Sequence, residues 1–155
     1  MQEKHPDPVA LADDTARQLA RQLIAAARHG SLATFGASDY PGISLVALAP
    51  SAPGFLTLMS GLAAHHGALR ANPKAALMLG EPGKGDPLAH PRLMIDVTAR
   101  FLPKDAATRA AYLAHQPKAA LYIDFADFDL VHLIPESALL NGGFGRAWRL
   151  TSADL

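Results

Sequence analysis

Apolar positions along the chain follow two different periods. Over residues 9–29, Ala12, Ala16, Leu19, Ala20, Leu23 and Ala27 recur every three or four positions, which puts one apolar stripe on a helix. Asp7 with Pro8 offers a start signal, and Gly30 after Arg28 and His29 a stop. Beyond Gly30 the period falls to two. Segments 31–37, 43–48 and 55–60 are β-compatible, and Gly/Pro-rich turns at 38–42 and 50–54 join them, so an antiparallel meander is expected. A short helix over 62–71 stops at Asn72-Pro73, and 74–80 returns as a strand. Prolines and glycines among charges make 81–91 a loop. Segment 92–101 alternates most cleanly: Leu93, Ile95, Val97, Ala99 and Phe101 share one face, while Arg92, Met94, Asp96, Thr98 and Arg100 share the other. A second amphipathic helix at 105–115, a helical turn at 117–123 and strands at 128–134 and 145–150 complete the pattern. The expectation is a mainly β, α+β domain spanning 1–155, with its first helix in 1–30 and a small six- to seven-stranded antiparallel barrel over 31–150.

Composition narrows the chemistry. The 155 residues include no cysteine, which excludes disulfides, thiolate metal sites and a thiol nucleophile. Fourteen Lys and Arg balance fourteen Asp and Glu, so no global field favours nucleic acid or an anionic membrane. The first residues lack the apolar region of a secretion signal, and no apolar run reaches the ~20 residues that cross a bilayer. A cytoplasmic protein is expected. Seven histidines are the side chains whose ordinary pKa lies nearest neutrality.

One corner carries the sharpest local chemistry. At Ser60-Gly61-Leu62-Ala63-Ala64-His65-His66 a strand runs into a helix, where free N–H groups and the positive dipole end suit an anion. Ser60 adds a hydroxyl, and His65 or Arg70 can add charge; the plain alternative is that Ser60 caps the helix and the histidines face solvent. Adjacent histidines diverge by about 100° on a helix, so they do not form a metal pair, and His5, His29, His90, His115 and His132 show no ligand spacing. Gly142-Gly143-Phe144-Gly145-Arg146 could line a flat aromatic cofactor or a subunit contact, or simply turn a hairpin. Asp124, Asp127 and Asp129 cluster before a strand; Asp127 and Asp129 read as solvated edge acids. The segment Gly83-Lys84-Gly85-Asp86 lacks a full phosphate-loop pattern, and no catalytic residue is evident.

In order and spacing these pieces resemble the pyridoxamine 5′-phosphate oxidase-like FMN-binding split-barrel family, in particular its haem-iron-utilisation branch. The resemblance spans about 30–150. It rests on Ser31-Leu32-Ala33-Thr34, Tyr40-Pro41-Gly42-Ile43-Ser44, the Ser60-to-Pro73 corner, Arg92-Leu93, Asp127-Phe128 and Gly142-Gly143-Phe144-Gly145-Arg146-Ala147. It implies a split barrel, a homodimer with the cofactor at the interface, and FMN as that cofactor, with haem the alternative. Carried over by position, it implies Ser60 and His65 at the phosphate, with His66 and Arg70 as helpers. Ser44 stands where the oxidases place an arginine, Arg92 begins the long strand, and Gly143, Phe144 and Gly145 form the glycine-rich turn. The implied activity is flavin-dependent oxidoreduction, the alternatives being haem binding or degradation, or storage of flavin or haem without turnover.

Overall fold

The computed structural model describes residues 8–155. The expected start signal at Asp7 lies outside them. Strand β1 is Ala10–Leu11, and helix α1 is Asp14–Ala26. The helix begins later than its periodicity suggests because Asp13 caps it: Oδ1 accepts from the Ala16 N–H at 2.8 Å. It also ends earlier. Gly30 lies inside β2 (His29–Phe35), where a Cβ would sit 2.9 Å from a methyl of Leu77, so close packing rather than helix termination explains this glycine.

Strand β3 is Pro41–Ala47, β4 is Ala49–Pro50 and β5 is Phe55–Ser60. Helix α2 (Ala64–Ala71) leads to β6 (Lys74–Leu79), and after the 81–91 loop comes β7 (Arg92–Leu102). Helix α3 (Ala106–His115), a 3-10 turn at Pro117–Leu121, β8 (Phe128–Asn141) and β9 (Ala147–Thr151) follow. Nine strands form one mixed, open sheet in the order β1-β9-β8-β7-β6-β2-β3, with β4 and β5 joined to it through β8. The sheet is not purely antiparallel, since β1 pairs with β9 in parallel. A split barrel accounts for this arrangement.

Two pairings differ from the expected meander. Strand β5 leaves β3 and lies against β8 over its whole length, Phe55 opposite Leu133 and Ser60 opposite Phe128. The cause is burial on both faces: Phe55 and Met59 enter the main core, and Leu56 enters a second cluster with Tyr112 and Ile123. A strand apolar on both sides belongs inside the sheet. Strand β8 also continues through Pro135 to Asn141. The register shifts between Asp96 and Val97, which leaves Glu136 unpaired and lets a proline sit in the strand.

The core is built on the inward residues of β7 that alternation predicts, Leu93, Ile95, Val97 and Ala99, together with Leu32, Leu77, Leu133 and Leu140. Phe101 continues that row at the edge of the core: it is partly buried, packs against the core, and carries Arg70 of α2 over its ring.

Candidate functional site

Helix α2 sorts the predicted residues into two groups. His65 faces a groove of about 780 Å³ between α2 and the β2–β3 hairpin, and Ser44 lies in the same groove. Phe35, Tyr40, Ile43 and Ala68 supply much of its wall. Burial lowers the pKa of His65, with the neighbouring His66 adding to the shift, so the imidazole stands neutral near pH 7.

His66 and Arg70 point the other way. His66 Nε2 donates to Asp129 Oδ2 at 2.7 Å, and Arg70 reaches the same oxygen at 3.4 Å. Both also contact Phe101: the Arg70 guanidinium carbon lies 3.6 Å from the ring centroid, and the His66 ring packs on it edge-on at 5.2 Å. Ser60 Oγ donates to Asp127 Oδ2 at 3.2 Å and accepts from the Leu62 N–H at 3.2 Å. The Gly61 N–H donates to the Asp127 carbonyl. Asp127 is exposed, as expected of an edge acid, and Asp129 is partly so, but both have partners, because strand pairing between β5 and β8 delivers them to this corner. They engage the Ser60 hydroxyl, the His66 imidazole and the Arg70 guanidinium that an anion would have used. The i, i+4 spacing of His66 and Arg70 was the signal for a shared partner.

Arg92 and the glycine-rich turn lie elsewhere. Phe101, which meets Arg70, is nine residues along β7 from Arg92, roughly 30 Å at strand spacing. Arg92 pairs with Asn141, and its guanidinium donates to the Leu88 carbonyl at 3.3 Å. Gly143 adopts φ +107°, and a Cβ there would lie 2.7 Å from the Ala89 carbonyl oxygen, so glycine is required by the turn itself. Phe144 is 68% exposed, and Gly145 takes φ +71° with open space around it. Within one protomer, Arg92, Gly143, Phe144 and Gly145 therefore do not join Ser44 and His65.

The other candidates have local partners. His132 Nε2 donates to the Pro53 carbonyl at 2.7 Å. Asp124 makes a bidentate pair with Arg109 at 2.8 and 2.7 Å, and Asp86 caps a 3-10 turn through the Leu88 N–H. His115 ends α3. No group of three or more metal-ligating side chains occurs among the described residues, and no described helix is long and apolar enough to cross a membrane.

The structure is an open split barrel with a groove beside a strand-to-helix corner. The family model for pyridoxamine 5′-phosphate oxidase matches residues 16–141, and the chain belongs to that family. It is 29% identical over 131 residues to the heme oxygenase HutZ of Vibrio cholerae, covering 80% of this chain and 74% of that one. It is 34% identical over 122 residues to the chloroplastic non-canonical heme oxygenase HOZ of Arabidopsis thaliana, covering 77% of this chain but 38% of the plant protein. A heme binding protein from Mycobacterium smegmatis superposes with a TM-score of 0.84 at 29% identity, over 93% of this chain and 61% of that one. The chain thus spans little more than a third of the plant protein and about three fifths of the mycobacterial one.

Proposed function

We propose that this protein binds haem in the groove between α2 and the β2–β3 hairpin, as a homodimer, and acts in haem breakdown. The observation that carries this reading is the state of the corner. Asp127 and Asp129 occupy Ser60, His66 and Arg70, so little positive charge remains to hold a phosphate. What faces the groove is a neutral imidazole among apolar and aromatic walls, a setting that suits a broad, flat, largely apolar ring. His65 would present its imidazole to that ring, Phe35, Tyr40 and Ile43 at the rim would exclude water from it only once a second copy covers them, and the His66–Asp129–Phe101 contacts would hold α2 in place. Haem would be the substrate and would also supply the redox-active iron. Similarity to two heme oxygenases and a heme binding protein supports the same reading.

A second copy fits the outer sheet face. Phe35, Ile43, Leu45 and Met78 are exposed there, 62%, 73%, 74% and 48% respectively, which is unusual for a free surface. Lys74 shares this face with Asp96 and Glu136, the composition a self-complementary contact requires. Arg92, Gly143, Phe144 and Gly145, remote from their own groove, would then complete the partner's.

The second reading is FMN and flavin-dependent oxidoreduction, favoured by the Ser44 hydroxyl in the groove beside His65 and by the family match. The visible spectrum of the purified protein separates the two. Haem predicts a Soret band, saturable titration and ring-opened product under reductant. Flavin bands with no response to haem would overturn the haem reading, and haem binding without ring opening would reduce it to storage. Sedimentation tests the dimer.

A further inference from the structure

Two donors one turn apart on α2 converge on a single oxygen. His66 Nε2 and the Arg70 guanidinium both meet Asp129 Oδ2, and both pack against the Phe101 ring. The end of β5 lies alongside, where a Cβ on Gly61 would sit 3.9 Å from the His66 ring. There Ser60 Oγ donates to the Asp127 carboxylate, and the Gly61 N–H donates to the Asp127 carbonyl. An imidazole and a guanidinium aimed at one oxygen, with a hydroxyl and an N–H close by, form the kind of donor set that recognises a phosphate. In this chain the oxygens they hold belong to the protein itself.

What the two aspartates bring is charge rather than shape. Asparagine has the same outline and keeps an acceptor oxygen for these bonds; only aspartate adds a negative charge. Both carboxylates stay within reach of solvent, Asp127 exposed and Asp129 partly so, so neither is a core group that burial holds in place. Two carboxylates meet one guanidinium and one imidazole, and these four carry no net positive charge even with His66 protonated. A phosphate entering here would meet two like charges and donors already satisfied. Repulsion of that kind is how a site rejects a ligand.

We infer that Asp127 and Asp129 are specificity-determining residues, which fill a latent phosphate site from within and exclude phosphate-bearing ligands from this corner. The inference deepens the haem reading and rests on it only in naming the ligand that the exclusion favours. The test is an amide NMR titration of the full-length protein with inorganic phosphate at constant ionic strength. The wild-type protein should show no saturable shift at Gly61, Leu62 or His66. Combining Asp127→Asn with Asp129→Asn should bring saturable shifts at those amides and raise phosphate affinity about tenfold or more above the wild-type limit. Adding Arg70→Gln should remove the gain. Asp124→Asn, which takes the same charge from a carboxylate paired with Arg109 instead, should leave affinity at the wild-type level. The single variant Asp129→Asn, which neutralises the carboxylate that both α2 donors share, serves should the double one fail to fold. Saturable binding to the wild type, no gain in a folded variant, an equal gain in Asp124→Asn, or a gain that survives Arg70→Gln would each overturn the inference. No haem enters the experiment, so a missing Soret response would remove the haem reading alone.

Discussion

His66 Nε2 lies 2.7 Å from Asp129 Oδ2, joining α2 to the beginning of β8 across 63 positions of sequence. The hydrogen bond from His66 is the main reason the Asp129 pKa is lowered; burial opposes it, and Arg70 adds to it. A depressed carboxylate stabilises the fold above its ordinary pKa, and that stabilisation is lost as pH falls through the depressed value. Asp129→Asn should therefore cost about 1 kcal/mol at pH 7, the contact being partly solvated. Urea midpoints of the two proteins should converge in acid.

His65 is lowered by burial first and by His66 second. Above its ordinary pKa of about 6.5 it is neutral whether folded or not; in acid, the unfolded chain takes up the proton more readily. Folding and any contact that needs the neutral imidazole should both weaken as pH falls below that value. His65→Ala should reduce haem affinity about tenfold or more at pH 7 and flatten its pH dependence, as read by Soret titration.

Asp154 anchors α1 from the other end of the described chain. Its carboxyl is pulled down to about 2, first by the Arg17 side chain at 2.7 Å, then by the Thr151 N–H and hydroxyl. The stabilisation is present above the ordinary carboxylate range and is lost only as pH approaches about 2. Asp154→Asn should lower Tm at neutral pH, and the gap in thermal melts should close over that acidic window.

Thr57 is fully buried on β5, and its hydroxyl has no hydrogen-bond partner. Replacing it with the isosteric Val removes a stranded polar group. Thr57→Val should stabilise the protein by about 1 kcal/mol, measured by urea unfolding.

Two glycines of one turn should respond differently. Gly143→Ala combines a positive φ with a collision against the Ala89 carbonyl and should cost more than about 2 kcal/mol. Gly145→Ala meets open space and should cost about 1 kcal/mol, from the backbone alone. Equal costs in denaturant unfolding would contradict this account.

Local pattern made much of the architecture legible. Alternation located β7 and its inward row, and β5 was bounded residue for residue. Pairing was harder to see. That β5 joins β8 instead of β3 depends on burial of both its faces, and a two-residue period carries no information about partners. The second half of β8 was hidden by Pro135, which signals a break unless a bulge across the sheet relieves it. In the site, strand-to-helix chemistry picked out Ser60, His65, His66 and Arg70. It could not foresee that Asp127 and Asp129 arrive beside three of them, because that proximity is made by sheet register.

Strand β3 ends the sheet with one edge unpaired among the described strands, and Ile43 and Leu45 stand exposed along it. An apolar open edge is a template on which another chain can add a strand. An edge of this kind is open to strand addition by any chain that meets it, and Ile43→Lys or Leu45→Lys would oppose that addition.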